Sequence, residues 1–562
     1  MRLSLKKYPI NLAHNLSAMF TRFDEKNFLA SSCGVEKTQR AMLKESLENV
    51  AGTKVSELRS VGREISYEMF KTKFPITNYS SWAELIQEQK EGGSKILTNQ
   101  PCFRYQPTSG STSKIKWIPY NQDFLHQLDQ AVGPWLSHMY RRYPGIKQGK
   151  HYWSLSWVPS DLRNLDTNSV NDDLQLLPWW KRLFMGVTMA VPESTSLADS
   201  SEESLFATAC YLVSCQDLSL ISVWSPTFAL SLLDLIEDRR LDIIKVLNSG
   251  QWPSRYKSLS IVAAPANKKS AFILLNLQGK INAEFTKLLW PKLALISAWD
   301  TSSSWVWAGK LQTVFSHCDF QGKGLWATEG VITIPYEDKF PLAINSHFYE
   351  FEDLTSGEIL PSWQLKLGLT VRPIITCANG IFRYAMNDQL LVTNFLNEIP
   401  CFEFIGRMDG IDMVGEKLSP QVAIEILNKL DNYHGITPVS LLAIPGDQVS
   451  EKARYVLLCN EDIEQYVVNN PALCQELQQR LEKKLQAHFH YKLARELGQL
   501  VVAEVVILKD AIRYYEDAKI KKGMTKGNIK VEPLILWEAE LYSENEYLND
   551  TRQGAGEHEA SV

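Results

Sequence analysis

The chain has 562 residues, of which 45% are hydrophobic, so it is long enough for a large core and too long for one simple domain. Its net charge of -5 and its pI near 6.1 give no reason to expect nucleic acid or an anionic membrane as the main partner. The nine cysteines are scattered without a CxxC pair, which is typical of a reducing compartment. With no secretory leader and no apolar run approaching about 18 residues, the sequence predicts a soluble cytoplasmic protein without a membrane span.

The first part of the chain has the apolar spacing of helices. Leu16 to Met69 predicts several helices, and Ser81 to Gly92 predicts a short one that ends at a glycine pair. Asn121 to Met139 returns to a helical pattern. Pro159 to Asp173 is polar and rich in turn residues, which predicts a surface excursion or a lid.

An alternation of strands and helices follows. Leu218 to Val223 is short and apolar, as a buried parallel strand is, and lies between helical patterns at Glu203 to Cys215 and Pro226 to Arg239. Ile261 to Ala264 and Leu293 to Ser297 predict further strands. This alternation indicates an α/β core.

From Gly322 the chain becomes rich in strand patterns, and after Gly406 it changes again. The strands predicted before Gly406 are Gly330 to Pro335, Phe348 to Phe351 and Leu390 to Thr393. The elements predicted after it are a helix at Ser419 to Asp431, strands at Val439 to Ile444, Ala453 to Cys459 and Val501 to Leu508, and one long helix at Ala472 to Leu497. We therefore expect a large domain at 1–405, a small second domain at 406–545, and a disordered tail at 546–562.

One loop has the composition of a phosphate site. Thr108 to Ser113 contains only small hydroxyl residues and glycine, and Lys116 follows closely. Backbone N–H groups and hydroxyls can surround phosphate oxygens, and a lysine can neutralise them. The loop has no Walker A spacing, and an ordinary solvated turn has a similar composition.

Two shorter motifs carry carboxylates. Glu329 lies between glycines after an apolar segment, where its carboxylate could hold Mg²⁺ and the neighbouring Trp326 could offer a flat face to a base. Asp388 follows Tyr384 and Asn387 at a turn, where it could accept both hydroxyls of a ribose. Alone, each is equally compatible with a plain turn.

Phe404 to Leu418 is rich in glycine and alternating charge. Such a segment suits a hinge that changes conformation, although a plain linker would look similar. The histidines have no HxxxH or HExxH spacing, and no GxSxG elbow is present, so the sequence favours neither a zinc enzyme nor a serine hydrolase.

The order of these motifs resembles the adenylate-forming enzymes (acyl-CoA synthetases, peptide-synthetase adenylation domains and luciferases). Thr108 to Lys116 resembles their phosphate loop, Thr328-Glu329 their Thr-Glu motif, Asp388 their ribose-binding aspartate, and Gly406-Arg407-x-Asp409 their hinge. Four motifs in the same order are hard to obtain by chance.

Within that superfamily the chain resembles the Gretchen Hagen 3 family of acyl-acid amido synthetases. The similarity rests on Lys116 to Tyr120, on Gly415 to Leu418 and on Phe489 to Arg495, and extends from near Ser60 to near Glu540. It implies an α/β fold with a large N-terminal adenylating domain of mixed sheets and flanking helices, and a small mobile C-terminal α+β domain.

The resemblance also implies a reaction in two steps: ATP adenylates a carboxylic acid, and an amine, usually of an amino acid, then displaces AMP. It implies that Glu329 binds Mg²⁺, that Asp388 and Arg407 contact the ribose, and that Lys116 and Lys530 are catalytic, with Lys530 preferred to Lys526. The nucleotide-binding residues that it implies are Thr108, Ser109, Gly110, Ser111, Thr112, Lys116, Trp326, Ala327, Thr328, Asp388 and Arg407.

The sequence departs from the family pattern at three positions. Ser113 and Asn387 replace glycines, and Ala385 replaces a frequent arginine. Two alternatives therefore stay open: a ligase that passes the acyl group to a thiol, and a catalytically silent binding protein of the same fold.

The acyl pocket is expected near Phe206, Val223, Trp224 and the stretch from Trp299 to Trp307. These aromatic residues suggest an apolar or aromatic acid, but they could equally belong to the core. The expected partners are a small carboxylic acid and an amine, without nucleic acid or membrane, and the expected state is a monomer or weak dimer.

Overall fold

The computed structural model describes most of the chain, at residues 8–61, 65–108, 116–154, 186–301, 304–408, 410–411, 413–414, 416, 418–431, 433–446, 452–461, 471–496, 499–522, 524 and 529–537. Several predictions fall outside the described residues. They are the loop residues Ser109 to Ser113, the surface excursion at Pro159 to Asp173, the hinge residues Asp409, Gly415 and Lys417, the alternative lysine Lys526, and the tail at 546–562.

The described residues divide into two compact units. The N-terminal unit comprises 8–301 and 305–405, and the C-terminal unit comprises 406–524 and 529–537. Within the described part of the chain, no helix is both long and apolar enough to cross a membrane.

The N-terminal unit begins with the predicted helices, which are confirmed. They are α1 (Tyr8–Ser31), α2 (Val35–Val50), α3 (Lys54–Arg59), α4 (Tyr67–Lys73), α5 (Ala83–Lys90) and α6 (Gln122–Arg142). Local caps define their starts: the Asn121 side chain accepts a hydrogen bond from the Phe124 N–H at the start of α6, and Thr53 and Ser56 form a capping box at α3. Their apolar faces enter one large core cluster.

A four-stranded parallel sheet forms the second part of this unit. Its order is β3 (Lys150–Trp153), β4 (Leu218–Ser222), β5 (Leu295–Ala298) and β6 (Asp319–Gly322), and each neighbouring pair is parallel. Every residue of β4 and β5 is buried, as expected for a parallel sheet covered on both faces. The helices that alternate with these strands are α7 (Ser201–Ser214), α8 (Pro226–Asp238), α9 (Arg240–Ser249), α10 (Lys268–Leu275), α11 (Ala283–Leu289) and α12 (Trp305–Val314).

Two hairpins and a second sheet complete the unit. The hairpins pair β1 (Arg104–Thr108) with β2 (Lys116–Tyr120) and β7 (Trp326–Ala327) with β8 (Gly330–Val331). The second sheet has the order β10-β9-β11-β13-β14, with β12 paired to β11. Its strands are β9 (Phe348–Asp353), β10 (Ile359–Pro361), β11 (Thr370–Thr376), β12 (Tyr384–Ala385), β13 (Asp388–Leu396) and β14 (Ile399–Arg407).

The C-terminal unit has its own sheet and core. The sheet order is β17-β16-β15-β18, in which β15 and β16 are antiparallel and the two outer pairs are parallel. Its elements are α13 (Pro420–Leu430), β15 (Ile436–Ile444), β16 (Arg454–Glu461), α14 (Pro471–Leu485), α15 (Phe489–Glu496), β17 (Glu504–Leu508), α16 (Ala511–Lys521) and β18 (Leu534–Leu536). The mixed α/β fold predicted from sequence is therefore confirmed, with a large N-terminal and a smaller C-terminal part.

Three element predictions were wrong in detail. Ile261 to Ala264 is not a strand, because a 3₁₀ turn runs to Ile261 and the Trp252 indole N–H donates to the Val262 carbonyl at 2.8 Å. The helix predicted at Ala472 to Leu497 is two helices, α14 and α15, separated by a turn at 486–488. The strand predicted at Gly330 to Pro335 is only Gly330–Val331.

Candidate active site

The β1–β2 hairpin holds the two ends of the predicted phosphate loop opposite each other. Thr108 pairs with Lys116 in the register of the two strands. The Trp117 backbone N–H donates to the Tyr79 hydroxyl oxygen at 2.8 Å, and the Lys116 Nζ lies 6.0 Å from the centre of the Tyr79 ring. Lys116 is thereby fixed at the base of the loop.

The Thr328-Glu329 motif forms the turn between β7 and β8 and lies beside this hairpin. The Tyr120 hydroxyl donates to the Thr328 carbonyl at 3.1 Å, and the Asn379 side-chain amide donates to the Pro119 carbonyl at 3.2 Å. Two motifs that are more than two hundred positions apart in sequence are therefore joined by a side-chain hydrogen bond.

Gly330, immediately after Glu329, permits a close approach of a histidine. A Cβ at this position would lie 2.8 Å from the His347 Nε2, and the Val331 N–H donates to the same nitrogen at 3.2 Å. Since Nε2 accepts, Nδ1 carries the proton and donates to the Gln127 Oε1 at 2.9 Å. Burial lowers the pKa of His347 to about 3, so the ring is neutral at pH 7. Its Nε2 can therefore accept the hydrogen bond from Val331 that stabilises the turn.

Tyr384 interacts with both predicted carboxylates, Glu329 and Asp388. Its hydroxyl donates to the Glu329 Oε1 at 3.5 Å. Burial raises the pKa of Tyr384, and the charges of Glu329 and Asp388 raise it further. Asp388 begins β13, and its side chain is 8% exposed. One tyrosine thus hydrogen-bonds to Glu329 and interacts electrostatically with Asp388.

Backbone hydrogen bonds place the segment that leads to Tyr79 beside Tyr384. The Thr77 N–H donates to the Arg383 carbonyl at 2.8 Å, and the Ala385 N–H donates to the Thr77 carbonyl at 2.9 Å. Thr77 precedes Tyr79 by two residues, so the contact partner of Lys116 lies beside the strand that carries Tyr384. We call Lys116, Tyr120, Glu329, Tyr384 and Asp388 the nucleotide cluster.

Sequence reasoning did not assign a role to the two tyrosines of this cluster or to Tyr79, which lies beside it. Tyr120 ends the Lys-x-Ile-Pro pattern and Tyr384 precedes Asp388 by four residues, so both lie inside quoted motifs. Tyr79 carries no motif signal and is found only through its contacts with Lys116 and Trp117.

The carboxylate chemistry of the cluster suits magnesium rather than zinc. In the described part of the chain, no group of three or more His, Cys, Asp or Glu residues is arranged so that it could hold a metal ion by itself. Mg²⁺ is usually held by one or two carboxylates together with substrate phosphates. Glu329, in a turn beside the base of the predicted phosphate loop, fits that arrangement.

Arg407 and Lys530 belong to the C-terminal unit. Arg407 ends β14, and its Nη1 lies 3.8 Å from the Glu532 Oε2. Lys530 is half-buried and shortly precedes β18. Glu532 also lies 3.6 Å from the Lys519 Nζ, so it pairs with two cations of this unit.

Glu416, in the segment that resembles a Gly-Glu-Lys motif, is a buried anchor. Its carboxylate accepts hydrogen bonds from the Met413 and Val414 N–H groups at 2.9 and 2.8 Å. The Tyr455 hydroxyl donates to it at 2.6 Å. These contacts hold the segment that follows the predicted hinge against β16.

The residues expected in the acyl pocket occupy different environments. Phe206 and Val223 are fully buried in a second core cluster, where Phe206 contacts the Tyr256 ring at 5.0 Å. Trp224 lies 5.8 Å from the Trp326 ring. Its ring centre also lies 4.9 Å from the Nζ of Lys323, a buried lysine that sequence reasoning did not single out.

Comparison with known sequences gives matches over most of the chain. The GH3 family N-terminal domain matches residues 24–320, the GH3 family central domain 340–407, and the GH3 family C-terminal domain 421–539. The indole-3-acetic acid-amido synthetase GH3.4 of Arabidopsis thaliana is 21% identical over 453 residues, which cover 75% of this chain and 74% of the relative.

The jasmonoyl–L-amino acid synthetase JAR6 of Nicotiana attenuata is 22% identical over 461 residues, which cover 74% of this chain and 78% of the relative. The 4-substituted benzoates-glutamate ligase GH3.12 of Arabidopsis thaliana is 20% identical over 370 residues, which cover 60% of this chain and 63% of the relative.

The same architecture is found in a solved structure. The GH3.15 acyl acid amido synthetase superimposes with a TM-score of 0.77 at 16% identity, covering 92% of this chain and 94% of that one. At such identity the likeness concerns the fold, while the domain matches account for most of the sequence. The chain belongs to the GH3 family.

Proposed function

We propose that this protein is an ATP-dependent ligase that adenylates a carboxylic acid and transfers the acyl group to an amine, of an amino acid by preference. The observation that carries the proposal is the nucleotide cluster. Lys116, Glu329 and Asp388 come from three separated parts of the chain, and all three lie around Tyr79 and Tyr384. This is the set of charges that an adenylation reaction requires.

In the first step, a carboxylate oxygen attacks the α-phosphorus of ATP and the bond to pyrophosphate breaks. The acyl-adenylate and pyrophosphate result. Attack of one anion on another requires neutralisation, which Lys116 would provide at the base of the phosphate loop. Glu329 would hold Mg²⁺, and the metal would neutralise phosphate charge. The hydroxyls of Ser109, Ser111 and Thr112 would bind the outer phosphates.

The remaining residues would orient the nucleotide. The buried Asp388 would accept both ribose hydroxyls, and Trp326 with Ala327 and Thr328 would line the base and sugar. The hydrogen bonds from the ribose hydroxyls to the Asp388 carboxylate would be charge-assisted, and such bonds are stronger than neutral ones. The roles expected of Arg407 at the ribose and of Lys530 at the reacting carboxylate stay predictions.

In the second step, the amine nitrogen attacks the acyl carbon, the bond to AMP breaks, and the amine loses a proton. The names of the relatives support this outcome, since they describe a substituted benzoates-glutamate ligase, an indole-3-acetic acid-amido synthetase and a jasmonoyl–L-amino acid synthetase. All three domain matches occur in family order, which supports retention of both steps.

Pyrophosphate release from ATP, measured with a panel of carboxylic acids, tests the proposal. We expect release with at least one acid, and amide products by mass spectrometry when amino acids are added. Thioester formation with coenzyme A and no amide would favour the thiol-acylating alternative. No release with any acid, together with no ATP binding by calorimetry, would indicate a silent binding protein.

A further inference from the structure

A row of polar side chains lies at the carboxyl ends of the parallel strands. Ser222 of β4 pairs with Ser297 of β5, which pairs with Gln321 of β6. Residues paired in this register point to the same face of the sheet. Lys323 lies just beyond β6, and its Nζ donates to the Ser222 Oγ at 2.8 Å, so its ammonium group reaches the same face.

Aromatic rings enclose this lysine. The Lys323 Nζ lies 4.9 Å from the ring centres of both Trp135 and Trp224. Each of these rings lies 5.8 Å from the Trp326 ring, and the Trp135 indole N–H donates to the Gln321 Oε1 at 2.9 Å. We call Lys323, Ser222, Trp135 and Trp224 the lysine cage.

The cage supplies cation–π contacts but no counter-charge. Lys323 is 4% exposed, and among the described residues no carboxylate forms an ion pair with it. Burial lowers the pKa of Lys323 to about 7. A buried ammonium without an anion is costly, and two tryptophan faces offset only part of that cost.

A second polar group in the row also lacks a partner. The Ser297 side chain is fully buried, and its Oγ makes no hydrogen bond within the described structure. It lies between Ser222 and Gln321 in the register of the sheet. Buried hydroxyls are normally satisfied, so the described residues leave the Ser297 hydroxyl without a hydrogen-bond partner and Lys323 without an anion.

Trp326 connects the cage to the turn that carries Glu329. Its ring lies 5.8 Å from the rings of both Trp135 and Trp224, and it begins β7, which leads into that turn. No charged group of the nucleotide cluster contributes to the pKa shift of Lys323. An acid that reacts beside Glu329 would therefore present its far end, not its reacting carboxylate, to the cage. Ligands of α/β sheets commonly bind outside the carboxyl ends of the strands.

We propose that Lys323, with Ser222 and Ser297, binds a second anionic group of the acyl substrate, so that the preferred acid is a dicarboxylic acid. This inference rests on the proposed function for the identity of the pocket. The aromatic walls would contact the apolar body of the acid, and the ammonium would pair with its distal carboxylate. Such a pair would satisfy the donors that the protein itself leaves without an anion.

Calorimetric titration of matched acids tests the inference without ATP. The probes are hexanoate and adipate, benzoate and terephthalate, and cinnamate and 4-carboxycinnamate. Lys323→Met removes the charge but retains side-chain length, and Lys245→Met, at a side chain 79% exposed, is the matched control. We expect at least one dicarboxylate to bind wild type and K245M about tenfold more tightly than its partner, since charged hydrogen bonds have that strength.

In K323M this preference should disappear while the affinity for the monocarboxylate changes less than about threefold. Equal binding of both members of every pair by wild type, or an unchanged preference in K323M, would overturn the inference. So would binding of L-glutamate, tested as a model amine substrate, that depends on Lys323 while adipate, terephthalate and 4-carboxycinnamate do not bind.

The wild-type comparison remains decisive if K323M does not fold, as judged by its melting transition. Failure of the proposed function has a different signature: dicarboxylate binding would persist while no acid supports pyrophosphate release. Adenylation of monocarboxylates and dicarboxylates with equal efficiency would instead contradict only the inference about Lys323.

Discussion

The nucleotide cluster and the lysine cage lie in the same unit but are built in different ways. The cluster collects charged residues from short motifs, and each of them is recognisable in sequence. The cage collects tryptophans and a lysine from α6, from the end of β4 and from the segment after β6, and none of them belongs to a motif with a fixed spacing.

The difference reflects what each site would bind. Phosphate, ribose and Mg²⁺ do not change from one member of an enzyme family to the next, so a family can retain the same residue types at nearly the same positions. An acyl group varies between enzymes, and its pocket requires only shape, apolar surface and a few polar groups. Substitutions in the two regions should therefore separate nucleotide chemistry from acid selection.

The largest effect is expected at Glu329. Glu329→Gln retains the shape of the side chain but removes the charge that would hold Mg²⁺, so ATP-dependent pyrophosphate release should fall by about 10²- to 10³-fold. The matched control is Glu358→Gln at an exposed position, which should retain wild-type activity. Full activity of E329Q at all magnesium concentrations would remove Glu329 from the site.

A smaller effect is expected at Asp388. Asp388→Asn replaces charge-assisted hydrogen bonds to the ribose with neutral ones, so the KM for ATP should rise about tenfold or more. The KM for the acid should change little, because the acyl group would not contact this residue. Steady-state kinetics with 2′-deoxy-ATP provide the check, since wild type and D388N should differ less with that nucleotide.

Acid should destabilise the N-terminal unit through three buried histidines, one below the nucleotide cluster and two beside the parallel sheet. Burial lowers the pKa values of His347 and His151 to about 3 and of His14 to about 4, from 6.5. The unfolded chain therefore binds more protons than the folded chain between these values. The stability that the three neutral histidines contribute to the folded state is fully present above pH 6.5. It is lost as the pH falls towards 4, because the unfolded chain then binds protons that the folded chain does not.

Urea unfolding at pH 7, 6 and 5 measures this loss. In His347→Gln the loss should be smaller by about 1 kcal/mol per pH unit, since one of the three histidines no longer titrates. A pH dependence identical to that of wild type would mean that the pKa of His347 is the same in the folded and unfolded chains, which would contradict the lowered pKa.

The smallest effect is expected on the affinity for ATP when a residue of the lysine cage is substituted. Lys323→Met should alter the affinity for ATP by less than about twofold, because the cage and the cluster share no charged contact in the described structure. Calorimetric titration of ATP and Mg²⁺ against wild type and K323M provides the measurement. A tenfold change in the affinity for ATP would mean that the cage and the cluster interact electrostatically.

Much of the fold could be predicted because its elements carry local signals. Strand β4 is a continuous apolar run, and α6 has regular apolar spacing after a capping asparagine. The errors arose where a local signal was absent or was overridden. The segment at Ile261 to Ala264 is apolar enough for a strand, but a tryptophan side chain takes one of its carbonyls, and that contact depends on tertiary packing.

The same distinction holds for the site. Lys116, Glu329 and Asp388 were predicted because the chemistry of ATP restricts residue type and order. Tyr79 and His347 were not predicted, because their positions depend on the pairing of Thr77 with Tyr384 and on the missing Cβ of Gly330. Such contacts join residues that are far apart in the chain and leave no periodic pattern.

By itself, the sequence determined the mixed α/β class and supplied candidate residues for ATP binding, because charge, turn composition and the order of motifs can be read along the chain. Only the tertiary structure decided which side chains face one another. It brought Tyr384 to Glu329, and it placed Lys323 between two tryptophans without a carboxylate partner among the described residues. The physical reason is that burial and pairing depend on where strands and helices meet, and a single sequence does not specify that directly.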